Sequence, residues 1–192
     1  WPVWPKPGHS LNLVGPGRAG KSHLAAIWQE MCGARLCDQP AELANILADG
    51  DVPLVVLDKI DCAFNWPEDM LFHLFTRCDI ESGGLLMLSE QPVAQMQWDL
   101  ADLRSRMRGL AMASIDLPDD ALIYALLEKY FADRQLLAPP AMLRYLVSRM
   151  ERSFDAVQTV AAALDRRSIA DKKPLSVGLA RLVLHELQAP PD

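Results

Sequence analysis

Gly15-Pro16-Gly17-Arg18-Ala19-Gly20-Lys21-Ser22 is preceded by Leu11-Asn12-Leu13-Val14 and followed by a segment with Leu24, Ile27, Trp28 and Met31 at i, i+3, i+4 and i+7. The octapeptide satisfies the phosphate-loop pattern G-x-x-x-x-G-K-[ST]. Glycines at both ends let the backbone turn tightly and aim successive N–H groups at phosphate oxygens. Lys21 would then reach the β- and γ-phosphates, and the Ser22 hydroxyl would ligate Mg²⁺. A short, mostly apolar run before the loop reads as a buried strand, and the periodicity after it reads as a helix with one buried face. A glycine-rich turn matching by chance would not bring both flanks with it.

Working outward, strand and helix signals alternate as far as residue 117, which predicts a parallel sheet covered on both faces. Gly33 closes the first helix, Ala34 to Cys37 is a short second strand, and Pro40 to Ala48 a helix. Val52-Pro53-Leu54-Val55-Val56-Leu57 reads as a buried strand ending in Asp58. Pro67 suits the first turn of a helix carrying Leu71, Leu74, Phe75 and Cys78 on one face, stopped by Gly83-Gly84. Leu85 to Ser89 is the next strand, a short helix spans Asp99 to Met107, and a last strand lies near Ala111 to Leu117.

From Pro118 the strand signal ends. Helices are expected over Asp119 to Arg134 and Pro139 to Met150. A third is capped by Ser153 with Val157, Val160, Ala161 and Leu164 inward, and a fourth is capped by Ser176 with Leu179, Leu182 and Val183 inward. The division expected is therefore an α/β nucleotide-binding core over residues 1–117 and a small all-α domain over 118–192. Pro190-Pro191 is expected to fray.

The chain has 192 residues, 51% of them apolar, and a formal net charge of −6. That length and composition support a sizeable core. The acidic balance argues against a surface that holds nucleic acid by bulk positive charge, because phosphate neutralisation requires clustered Lys and Arg. Contact with DNA is expected to be indirect. Cys32, Cys37, Cys62 and Cys78 form no C-x-x-C pair, and no His pair stands at zinc spacing. Reduced, small buried thiols in a cytoplasmic protein are expected. No apolar run long enough to span a membrane and no signal-peptide pattern is present. Because the chain begins at Trp1, an upstream segment is expected to have been removed.

Asp58 ends an apolar strand after the phosphate loop, where a carboxylate can hold Mg²⁺ through its water shell. The capping or turn aspartate is the alternative. Hydrolytic enzymes of this kind usually place an acid immediately afterwards to orient or deprotonate water. Here the position is Lys59, and a protonated ammonium cannot serve as that base. Slow intrinsic hydrolysis follows.

Gly20-Lys21-Ser22-His23-Leu24 resembles the G-K-[ST]-H-L loop of the DnaA branch of AAA+ ATPases, and Leu103-Arg104-Ser105-Arg106-Met107 is similar to that branch's arginine-finger segment. Leu164-Asp165-Arg166-Arg167-Ser168-Ile169 resembles a stretch near the end of the Hda proteins, DnaA-related regulators without a DNA-binding domain. The opening Trp1-Pro2-Val3-Trp4-Pro5 and the divergent Walker B region look most like the alphaproteobacterial form. The likeness runs from about residue 9 to 187.

The resemblance implies a P-loop AAA+ core followed by a helical lid. Gly15, Pro16, Gly17, Arg18, Ala19, Gly20, Lys21, Ser22 and His23 would bind ADP or ATP, with Mg²⁺ on Ser22 and Asp58. Arg106 would be the arginine finger, acting across an interface on a neighbour's γ-phosphate. A guanidinium suits that role because it stays charged and forks onto two oxygens, and supplying one in trans accelerates hydrolysis by roughly 10³ to 10⁵. Arg104 and Arg108 lie close enough to substitute.

Two departures are informative. Ser89-Glu90 stands where sensor 1 is usually Ser-Asp or Gly-Asp, so Glu90 keeps the acid on a longer arm. The sensor 2 arginine aligns with Asp155, leaving Arg152, one turn earlier, as the candidate for that contact. The resemblance implies a regulator that promotes hydrolysis of ATP bound to DnaA, working on the DNA polymerase sliding clamp through a motif upstream of Trp1, with homodimerisation open. Gln95-Met96-Gln97-Trp98-Asp99-Leu100 resembles a clamp-binding peptide, but Trp98 and Leu100 are expected to be packed. Alternatives are a self-assembling AAA+ ATPase of helicase-loader type and, on the phosphate loop alone, a small-molecule kinase.

Overall fold

The computed structural model describes residues 10–48, 54–61, 66–81 and 83–188. Val52, Pro53, Cys62, the stretch 1–5 and Pro190-Pro191 lie outside the described residues. Two compact units form. One takes in Gly15 and Ala19–Ile115, and the other holds Pro16–Arg18 and the chain from Asp116 onward.

The first unit runs β1 (Ser10–Val14), α1 (Lys21–Cys32), β2 (Arg35–Cys37), α2 (Pro40–Ala48), β3 (Leu54–Leu57), α3 (Glu68–Ile80), β4 (Gly84–Ser89), α4 (Ala101–Arg108) and β5 (Ala111–Ser114), with a 3-10 turn at Val93–Gln95. The sheet is parallel throughout, in the order β2-β3-β4-β1-β5. Parallel pairing needs a crossover between strands, and each helix supplies one. Because successive side chains alternate, one face carries Val55, Leu57, Leu85 and Met87, which pack with Leu43 and Ile46 of α2, Leu71, Leu74, Phe75 and Cys78 of α3, and Leu103 and Met107 of α4. The other carries Leu13, Val56, Leu86 and Leu88, packed on Ala25 and Trp28 of α1.

The expected buried stripe of α1 is corrected here. Leu24, Ile27 and Met31 are 48%, 42% and 64% exposed, while Ala25 and Trp28 are buried. Small Ala25 lets the helix approach the sheet, and Trp28 fills the space beside it. The outer edge of its stripe lines a groove of about 340 Å³ with Leu11, Leu13, Leu86 and Ala113.

The second unit is all helical: α5 (Asp120–Asp133), α6 (Pro140–Val147), α7 (Phe154–Asp171) and α8 (Val177–Gln188). Asp119 accepts from the N–H of Leu122 at 2.7 Å and Ser153 from that of Ala156 at 3.0 Å, so both caps satisfy donors the helices leave unpaired. Ile123, Leu127, Phe131, Leu143, Leu146, Val160, Leu164 and Val183 form one core. Leu182, expected inward, is 43% exposed; Ala180 and Leu184 take the inner face of α8 instead.

Candidate nucleotide-binding site

The C-terminal ends of β1, β4 and β3 lie side by side, with Val14 opposite Ser89 and Leu57 opposite Met87. Ligands of open parallel sheets bind at such ends. The loop that leaves β1 is tied down at once: the Gly15 N–H donates to the Ser89 carbonyl at 3.1 Å. A Cβ on Gly15 would meet the Ile115 Cβ at 3.0 Å and its carbonyl at 3.2 Å, so a side chain here would require Ile115 to give way by a few tenths of an ångström. Gly20 opens α1 at φ 88°, a left-handed conformation that glycine adopts without strain.

The N-terminus of α1 has neither a side-chain cap nor an acidic residue in its first turn. A helix start with no acidic residue in its first turn presents the positive end of its dipole, which fits a phosphate. Lys21 Nζ lies 2.5 Å from the Gly15 carbonyl, across the mouth of the loop. Ser22 Oγ donates to Asp58 Oδ2 at 3.1 Å, and Asp58 is 8% exposed. Its own N–H donates to the Cys37 carbonyl at 3.0 Å, which fixes the carboxylate at the strand end. Among the described residues no three His, Cys, Asp or Glu side chains gather as a metal cluster. The Ser22 and Asp58 oxygens fit a divalent cation only with phosphate and water oxygens completing its shell.

His23 is solvent-exposed on the first turn of α1. Lys59 is also exposed and takes φ 55°. Glu90 turns its side chain to solvent while its N–H, and that of Gln91, donate to Asp61 Oδ2 at 2.5 and 3.0 Å. The loop beyond β4 is thus anchored by a residue three positions after Asp58. Asn12, 2% exposed in β1, donates to the Met87 carbonyl at 3.2 Å and Ser89 Oγ at 2.8 Å, and accepts from the Val93 N–H at 3.1 Å. Sequence reasoning missed both organisers. A polar residue interrupting an apolar strand was the signal for Asn12.

Arg106 lies on α4 apart from the loop residues. Its Nη1 pairs with Asp79 Oδ2 at the end of α3, and its guanidinium carbon stands 5.2 Å from the Phe72 ring centroid. Arg104 donates to the Trp98 carbonyl at 3.1 Å, and Arg108 is exposed. Trp98 is buried, with Nε1 bonded to the Val93 carbonyl at 2.9 Å, while Leu100 is 37% exposed.

In the helical unit, Arg18 pairs with Asp155 at 2.8 Å and donates to Gln158 at 3.4 Å. Arg152 forks onto Asp120 through Nε at 2.7 Å and Nη2 at 3.1 Å. That hydrogen bonding holds Asp120 below the usual carboxylate range and raises Arg152 above its ordinary value.

No family model matches the chain. Domain III of the Thermotoga maritima replication initiation protein DnaA superposes with a TM-score of 0.75 at 15% identity, over 94% of this chain and 85% of that one. The Thermotoga maritima RuvB Holliday junction branch migration motor gives 0.73 at 13% identity, over 95% and 63%. A replication initiator DnaA bound to AMPPCP and single-stranded DNA gives 0.64 at 13%, over 85% and 58%.

The fold is the one seen in DnaA domain III and in RuvB.

Within that fold, the five-stranded parallel sheet carries the glycine-rich loop after its β1 strand, and Asp58 follows β3. At these identities the likeness concerns the fold alone. The chain spans less than two thirds of RuvB and of the nucleotide-bound DnaA. No described helix is long and apolar enough to cross a membrane.

Proposed function

We propose that this chain is a nucleotide-binding AAA+ regulator that presents Arg106 in trans to ATP held by DnaA, promotes its hydrolysis, and so restrains replication initiation. The observation that carries the nucleotide half is the open N-terminus of α1 beside the Lys21–Gly15 and Ser22–Asp58 contacts. Gly15 to His23 would hold ADP or ATP. Lys21 would exchange the Gly15 carbonyl for β- and γ-phosphate oxygens, and Ser22 with Asp58 would hold Mg²⁺, whose charge neutralises the phosphates. Glu90 is the sensor 1 candidate. Arg152 would have to leave Asp120 to reach nucleotide.

The regulatory half rests on three features. Lys59 replaces the acid expected beside Asp58, the Leu103 to Met107 segment resembles an arginine finger, and the fold is shared with DnaA domain III. Contact with DNA would come through the polymerase sliding clamp. The test is hydrolysis of DnaA-bound ATP with the clamp loaded on DNA, adding wild type or Arg106→Ala. Stimulation by wild type and its loss in the variant supports the reading, whereas equal rates overturn it.

The likeness to RuvB, a branch migration motor, favours a second reading: a self-assembling AAA+ ATPase of helicase-loader type in which Arg106 completes its own neighbour's site. Sedimentation with ATP discriminates. Rings or spirals at micromolar concentration support assembly, and a monomer or dimer favours the regulator.

A further inference from the structure

Three arginines crowd the segment 104–108, and their surroundings differ. Arg104 commits Nη1 to the Trp98 carbonyl. Arg108 is exposed, with no hydrogen bond or ion pair to a described residue. Arg106 alone of the three meets a carboxylate, Asp79, and it also lies against the Phe72 ring. Both partners belong to α3, which packs on α4 through Leu74, Cys78, Leu103 and Met107. The support beneath the guanidinium is therefore a rigid helix pair.

Asp79 touches only one terminal nitrogen. Nε and Nη2, the edge that would fork onto two phosphate oxygens, form no hydrogen bond with described residues. An arginine fixed by Nη1 and by its face, with the Nε/Nη2 edge unused, is held in one orientation while its bidentate donors stay available. The side chains of Arg106 and Asp79 are 32% and 36% exposed. Water screens such a pair, so its contribution to folding is small. Its consequence lies in orientation, where small misplacements cost rate steeply.

We propose that Asp79 is the positioning residue of Arg106: it pins Nη1 so that the Nε/Nη2 edge meets the partner's phosphate without a rotamer search. This rests on the reading of Arg106 as a finger acting in trans. Without Asp79 the guanidinium would still be present and charged, but spread over many rotamers. Docking with the partner would continue, and the hydrolytic step would slow.

The experiment measures hydrolysis of labelled ATP on purified DnaA, with sliding clamp loaded on DNA, as a function of the concentration of this protein. Asp79→Asn should lower the plateau rate about two- to fivefold and leave the half-saturating concentration within about twofold. Asp79→Glu, which restores the charge, should recover most of the rate. Asp79→Asn added to Arg106→Ala should cause no further loss, since Asp79 acts only through Arg106. Asp79→Ser is the second variant should the amide disturb folding, and an unchanged melting temperature separates orientation from stability. A plateau unchanged or raised in Asp79→Asn, or a further loss on the Arg106→Ala background, overturns the proposal while leaving the finger intact. Full activity in Arg106→Ala overturns the finger reading itself.

Discussion

Ser22 Oγ and Asp58 Oδ2, 36 residues apart in sequence, lie 3.1 Å from each other and join the start of α1 to the end of β3. The hydroxyl and the largely buried carboxylate set two oxygens side by side at the C-terminal end of β3. A divalent cation would insert there, taking an oxygen from each side chain. Asp58→Asn keeps the shape and an acceptor but removes the charge. Titration with a fluorescent ADP analogue should show wild-type affinity dropping at least about tenfold when Mg²⁺ is chelated, and Asp58→Asn should give the same affinity with and without the metal. Persistent metal dependence in the variant would place the cation elsewhere.

Lys21 crosses the loop mouth to the Gly15 carbonyl, a contact that nucleotide phosphates would replace. Charge-assisted hydrogen bonds are worth about 1.5–3 kcal/mol each, so Lys21→Ala should weaken nucleotide binding by about 10- to 150-fold. Lys21→Arg should restore charge but not the point geometry, and recover only part of the loss. The same fluorescent titration reads both variants.

Asn12 uses its amide to join three separate segments inside the first unit. Asn12→Leu keeps the branched shape at Cγ but orphans the Val93 N–H and removes a partner of Ser89. A buried donor without an acceptor costs about 1–3 kcal/mol, so a loss of about 2–3 kcal/mol is expected in urea denaturation. A loss below about 0.5 kcal/mol would show that the loop after β4 finds other partners.

The turn between β1 and α1 was legible because Gly20 takes a left-handed φ that no other residue meets as readily, and Gly15 sits close against Ile115. The inward face of α3 was legible for a different reason: Leu71, Leu74, Phe75 and Cys78 repeat at helical spacing and all are buried. The same periodicity on α1 misled, since a stripe reports apolarity and not which neighbours exist to cover it. Asp79 and Asp61 could not be read at all. Each acts through a partner 27 or 29 residues away, and that proximity is created only by packing α4 on α3 and by pairing β3 with β4.

Burial pushes the Cys37 thiol up to about 11 and the Cys78 thiol to about 12, with nearby carboxylates adding to the shift. Both folded values lie above the ordinary value of 9.0, so the folded state favours the neutral thiols. Their stabilising effect is complete below about pH 9 and is lost as pH rises through the folded values. Melting temperature should therefore fall progressively above about pH 9. Alkylation at pH 8 should label half-buried Cys32 and leave Cys37 and Cys78 unmodified until the protein unfolds. Rapid labelling of Cys37 or Cys78 in the folded state would contradict their burial.

Lys59 follows Asp58 directly, is exposed, and takes φ 55° where the chain turns out of β3. Two separable features could slow hydrolysis here: the ammonium in place of an acid, and a left-handed backbone at this position. Lys59→Glu changes the first and keeps the second. Positioned acid-base groups contribute about 10² to 10⁴ in rate, so the chain's own ATP turnover should rise at least about tenfold in Lys59→Glu while nucleotide affinity stays within about twofold. Lys59→Gly relieves the backbone, stabilising the fold by up to about 1 kcal/mol, and supplies no carboxylate, so its turnover should match wild type. A rise in Lys59→Glu alone would show that the missing acid limits turnover. Equal turnover in all three proteins would instead assign it to the turn, which then keeps even a carboxylate at this position out of reach of the attacking water.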